Sequence, residues 1–194
     1  MIKFIANAIS IIFNPVIVIL PVPYLLVLKT TQDHNLALAW SIISYAFIGL
    51  VVLFVLTGVY FKIFTDFDVS NRRQRTLAYI FSLIVAFLYL LTLFLFNGPA
   101  VLSVAASGLI IGLIVLGEIN RKIKASVHVA TVSAIITAAS IAYGGFAYFL
   151  LLLIPLIAWS RVKINRHTPK EALVGGILGI IFTIIIYIMM EVRY

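Results

Sequence analysis

The chain has 194 residues, 64% of them hydrophobic and only 10% charged, with a mean hydropathy of +1.22; this exceeds what a water-soluble core requires and marks an integral membrane protein. Fourteen Lys and Arg stand against six Asp and Glu, but the basic residues fall in short loops between apolar runs, so membrane topology accounts for them and nucleic acid is excluded as a partner. Cysteine is absent, which excludes disulfides and thiolate metal sites.

A helix needs about 20 apolar residues to cross the hydrocarbon layer. Candidate segments run over residues 4–28, 36–61, 77–96, 100–117, 127–143, 146–159 and 172–190. They predict an all-α fold, a polytopic transmembrane helix bundle of about six or seven spans, forming a single integral membrane domain over 1–194. The first segment follows Met1 and Lys3 without a small-residue cleavage site, so it reads as a retained span rather than a signal peptide. Pro15, Pro21 and Pro23 are expected to bend or interrupt it. Asn97-Gly98-Pro99 predicts a turn between the third and fourth segments. Gly144-Gly145 predicts a hairpin between the fifth and sixth, since an unbroken helix over 127–159 would be roughly 50 Å long.

Polar loops at 62–76, 118–126 and 160–171 are separated from one another by pairs of spans, so parity puts all three on one face, where they can converge. With seven spans the N-terminus shares that face, which then holds every basic residue except Lys29 and Arg193. The positive-inside rule makes it cytoplasmic, with the cell membrane as the expected location.

The first loop contains Asp66, Asp68, Asn71, Arg72, Arg73 and Arg75. If a helix begins near Asn71, Arg72 and Arg75 share one face and can grip a phosphate through forked hydrogen bonds, although a plain positive-inside anchor explains either arginine equally well. Asp66 and Asp68 are a sparse set for Mg²⁺; ion pairing with the neighbouring arginines fits them better. The second loop ends at Lys124-Ala125-Ser126-Val127-His128. Ser126 suits an N-cap and can also offer its hydroxyl to a phosphate oxygen. His128, in the first turn, can act as a general acid; taken alone, it reads as an interfacial histidine satisfied by a backbone carbonyl.

The third loop is the most specific. Thr168-Pro169-Lys170-Glu171 reads as a helix start, with Thr168 as N-cap, Pro169 at the first helical position and Glu171 closing a capping box. His167 then stands just before a helix N-terminus, where an anion is favoured. Glu171, four residues on, can reach one ring nitrogen and leave the other to attack phosphorus.

Ser160-Arg161, five residues, His167, three residues and then Glu171 resembles the third motif of the phosphatidic acid phosphatase type 2 superfamily, which usually has Asp at the last position. Ser126-Val127-His128 resembles its second motif, with Ala125 and Val127 replacing Pro and Gly. The first motif departs most: position 68 is Asp rather than Lys, Thr76 follows Arg75, and the run is closer to Asn-Arg, two residues, Arg. The resemblance covers about residues 60–190. It implies a membrane-embedded phosphatase needing no metal or other cofactor, which hydrolyses a lipid phosphate or isoprenoid diphosphate through a phosphohistidine on His167. It also implies that Glu171 orients His167, that His128 protonates the leaving group, and that Arg161, Ser126, Arg72, Arg75 and, in addition, Lys124 hold phosphate oxygens. Two other readings stand beside it: a Mg-dependent, prenyltransferase-like enzyme using Asp66 and Asp68, and a non-catalytic lipid-binding transporter or scaffold.

Overall fold

The structure is a computed structural model that describes residues 1–191, with side chains through residue 188; Arg193, assigned by parity to the opposite face, lies outside the described residues. Every regular element among the described residues is helical. The run expected over 4–28 is not one helix but three, α1 (Ile2–Ile12), α2 (Pro15–Ile19) and α3 (Val22–Thr31). Pro15 opens α2 and Pro21 stands directly before α3, positions where a missing N–H is tolerated. Asn14 bridges the first break by accepting the N–H of Val16 on Oδ1 at 3.0 Å.

Next come α4 (His34–Tyr60), α5 (Arg72–Leu95) and α6 (Ala100–Asn120). Asp33 caps α4 by accepting the N–H groups of Asn35 and Leu36 at 2.9 and 3.0 Å, which satisfies two donors that a helix start leaves open. The turn at 97–99 separates α5 from α6 as expected, with Asn97 in the left-handed region at φ 51°.

The predicted hairpin follows α7 (Val127–Tyr143), where Gly144 and Gly145 both take positive φ, a backbone conformation that side chains resist. Ser140 closes this turn by donating to the Ala147 carbonyl at 3.0 Å. The chain returns through a 3₁₀ helix (Gly145–Leu152), then α8 (Leu153–Lys163), and finishes in α9 (Pro169–Glu191). All three stretches read as polar loop are therefore partly helical. Residues 72–76 open α5 because Asn71 caps it, 118–120 close α6, 160–163 close α8 and 169–171 open α9.

Among the described residues, six stretches are long and apolar enough to cross a membrane: Ile2–Ile19, His34–Tyr60, Arg72–Leu95, Ala100–Asn120, Gly145–Lys163 and Pro169–Ile188. Val127–Tyr143 is apolar but shorter, about 26 Å at the α-helical rise. Large apolar side chains lie on the outside, Phe94 at 80% and Phe146 at 89% exposure among them, an arrangement costly in water and favourable in lipid. The protein is a polytopic helical membrane protein.

The chain forms two compact units. One, Leu20–Arg121, holds α3 to α6 around Val27, Ala37, Trp40, Leu93, Leu102 and Ala106. The other joins Met1–Ile19 to Lys122–Tyr194; its core is Val129, Val132, Ile136, Ile157 and Ala172, with Ile9, Phe13 and Val18 from α1 and α2 packed against it.

In this second unit α7 and α9 run parallel and very close. A Cβ on Gly175 would meet the Ser126 carbonyl oxygen at 2.5 Å, one on Gly179 would strike the Ala130 carbonyl, and Thr183 donates to the Ala134 carbonyl at 3.2 Å. Steps of four residues on each helix stay in register, and small residues at the crossing let the backbones approach, the usual source of packing energy between helices in lipid. Gly179→Ala is expected to destabilise the detergent-solubilised protein by about 1–3 kcal/mol, because backbone rather than a side-chain tip must yield. Gly176→Ala serves as the comparison, since its methyl would meet Val129 Cγ1, Ile154 Cγ2 and Ser133 Oγ at ordinary distances of 3.5, 3.7 and 3.8 Å. Equal melting temperatures for the two variants would contradict the seam.

Candidate active site

The start of α9 forms the capping box that its sequence predicts. The Glu171 N–H donates to Thr168 Oγ1 at 3.3 Å and the Thr168 N–H donates to Glu171 Oε2 at 3.1 Å. The same carboxylate oxygen lies 3.0 Å from His167 Nδ1. Because a carboxylate only accepts, the proton of this pair sits on Nδ1, and Nε2 carries the lone pair when the ring is neutral. His167 is buried, its side chain 2% exposed, whereas the Glu171 side chain keeps 21%. One glutamate thus starts the helix and fixes the tautomer of the histidine before it.

The end of α8 explains the spacing between Arg161 and His167. Asn165 takes φ 60°, and around it the Arg166 N–H donates to the Arg161 carbonyl at 3.1 Å while the Asn165 N–H donates to the Val162 carbonyl at 3.0 Å. These bonds make a Schellman cap, with Asn165 in the left-handed position that asparagine tolerates better than most residues. The His167 N–H also donates to the Arg161 carbonyl, at 3.3 Å. The arginine therefore sits in the last turn of one helix and the histidine just before the next, tied through a single carbonyl.

At the start of α7, Ser126 is fully buried; its Oγ accepts the Val129 N–H at 3.4 Å, so it is an N-cap as predicted. Its own N–H donates to the Glu171 carbonyl at 3.1 Å, which joins the second motif directly to the third. His128, two residues on, is 8% exposed. Lys124 donates from Nζ to the Arg166 carbonyl at 3.1 Å, bracing the segment that leads into His167. Since α7 and α9 are parallel, their N-termini lie side by side, and both macrodipoles present a positive end where Arg161 brings a formal charge. Such a constellation attracts an anion.

The structure thus brings Lys124, Ser126, His128, Arg161, His167 and Glu171 together within one unit. Arg72 and Arg75 belong to the other unit, in the first turn of α5. Arg75 is 4% exposed and donates from Nε to the Val69 carbonyl at 2.9 Å, while the Arg72 carbonyl accepts from Asn120 Nδ2 at 3.2 Å. Asp66 organises its own loop, its Oδ1 accepting the N–H groups of Asp68 and Ser70 at 3.0 and 3.2 Å and the Ser70 hydroxyl at 3.1 Å.

Three contributors escaped the sequence reading: Asn165, the pair Gly175 and Gly179, and Ser10. Asn165 gives little local signal, but Gly175 and Gly179 form a small-xxx-small pattern that flags helix packing in lipid. The third, Ser10, sits inside an apolar run on α1, and its Oγ accepts from Arg161 Nη1 at 2.7 Å. Residues 117–194 match the model of the PAP2 superfamily. No curated protein and no solved structure matches the chain.

Proposed function

Because residues 117–194 match the PAP2 superfamily model, we propose that the chain is a membrane-embedded, metal-independent phosphatase that cleaves a lipid phosphate or isoprenoid diphosphate through a phosphohistidine. The match of residues 117–194 to the superfamily model supports a phosphoric ester hydrolase. The observation that carries the finer reading is the buried His167 held by Glu171 at 3.0 Å between the N-termini of two parallel helices.

In this reading His167 Nε2 attacks phosphorus as the bond to the leaving oxygen breaks, and Glu171 stabilises the imidazolium formed on the ring. Arg161 and the backbone N–H groups at the two helix starts balance the charge on the phosphoryl oxygens, with Lys124 and the Ser126 hydroxyl as further ligands. Arg72 and Arg75 are assigned to the phosphate on the strength of the motif resemblance. His128 gives its proton to the departing oxygen and then takes one from the water that hydrolyses the phosphohistidine.

The lipid character of the substrate is supported by an apolar groove of about 540 Å³ between α7, α8 and α9. It is lined by Val129, Ile154, Trp159, Val162 and Leu173 and begins beside Pro169, two residues from His167. A hydrocarbon tail can occupy it while the headgroup reaches the histidine. The charge bias of the loops favours the cytoplasmic face of the cell membrane for this site.

A phosphate-release panel of phosphatidate, phosphatidylglycerophosphate and isoprenyl diphosphates is expected to give turnover with at least one substrate, unchanged by EDTA. Loss of activity with EDTA would favour the prenyltransferase-like reading of Asp66 and Asp68. Tight phospholipid binding without turnover, insensitive to loss of either site histidine, would favour a scaffold.

A further inference from the structure

We infer that Ser10 positions the Arg161 guanidinium for phosphate binding, which makes α1 a working part of the site although it lies outside residues 117–194; this rests on the reading of Arg161 as a phosphate ligand. Arg161 is 2% exposed and Ser10 5% exposed, and Nη1 donates to Oγ at 2.7 Å. A guanidinium stays charged in proteins, and burying it is costly unless its N–H groups find acceptors. A serine hydroxyl is a neutral acceptor. It takes one of five N–H groups and so fixes the plane of the fork, while contributing no negative charge to compete with the phosphate.

Other helical serines show what Ser10 does differently. Ser41 donates to the Ala37 carbonyl and Ser107 to the Ser103 carbonyl, each four residues back in its own helix. Ser10 instead reaches across to a residue 151 positions away. Its helix is anchored for that role, because Ile9 and Phe13 pack on the cluster of Val129, Val132, Ile136 and Ile157 that also seats α7 and α8. The hydroxyl is delivered at the C-terminal end of α1, four residues before Asn14, where the Asn14-Pro15 break redirects the chain.

The test uses the purified full chain in nanodiscs and two readouts, lipid phosphate turnover and binding of inorganic phosphate. Ser10→Ala is expected to weaken phosphate binding about tenfold, the scale of one hydrogen bond to a charged group. It should raise KM more than it lowers kcat, with a fall in melting temperature from the buried N–H left without its acceptor. Ser10→Thr, which keeps the hydroxyl, should restore most of the affinity. In the background of Arg161→Ala, Ser10→Ala should cost nothing further, since a positioning residue cannot act once its client is removed.

If Ser10→Ala fails to fold, Ser10→Cys replaces it as a variant of similar size with a weak acceptor. Unchanged phosphate affinity in the folded variant, or losses that simply add to those of Arg161→Ala, would overturn the inference. A parent protein that neither turns over lipid phosphates nor binds inorganic phosphate would defeat the underlying reading and this inference with it. Normal parent activity with a silent Ser10 would defeat the inference alone.

Discussion

His167→Ala is expected to reduce phosphate release by on the order of 10⁴-fold or more, to the background of the assay, while the protein still expresses, folds and binds its lipid. The size of the effect follows from the proposed role, since without the imidazole no covalent intermediate forms and the remaining cations can only bind the ester. Folding is spared for a local reason. The capping box joins Thr168 and Glu171 to each other, the Schellman cap on α8 uses the N–H groups of Asn165 and Arg166, and residue 167 adds only a backbone N–H that alanine retains. Stopped turnover followed by ³²P transfer should show a labelled protein with the parent and none with the variant. Retained turnover at anything near the parent rate would remove His167 as nucleophile.

His128→Gln is expected to slow hydrolysis of a lipid phosphate by about 10²–10⁴-fold, the usual scale for losing a general acid. The effect should depend on the leaving group. An alkoxide leaves poorly without a proton, whereas 4-nitrophenolate needs none, so release from 4-nitrophenyl phosphate should suffer much less in its first step. Residue 128 lies in the first turn of α7, beyond the Ser126 cap, and glutamine tolerates that position well enough for the helix to persist. An equal loss on both substrates would assign His128 to binding or packing instead of proton transfer.

Much of this could be read from the chain because the relevant interactions are local. The capping box at 168–171, the Ser126 cap and the hairpin at Gly144-Gly145 each involve residues within four or five positions, where spacing and stereochemistry dictate the outcome. The run over 4–28 was harder, since it is apolar throughout and only its prolines announced the three helices it becomes. The loop limits erred for a related reason. Arginines at 72, 75 and 161 look like loop residues by polarity, yet a cap on either side lets the helix carry them into its end turn.

Helix content, membrane character and the pairing of His167 with Glu171 were therefore determined by sequence alone: hydropathy and short-range hydrogen bonding act along the chain. Parity had already put the starts of α7 and α9 on one face; only the tertiary structure decided that the two helices pack against each other, that Ser126 bonds the Glu171 backbone, and that Ser10 reaches Arg161. The helix contact depends on which backbones can approach across a glycine seam; the small-xxx-small spacing of Gly175 and Gly179 flags such a seam without naming the helix that fills it.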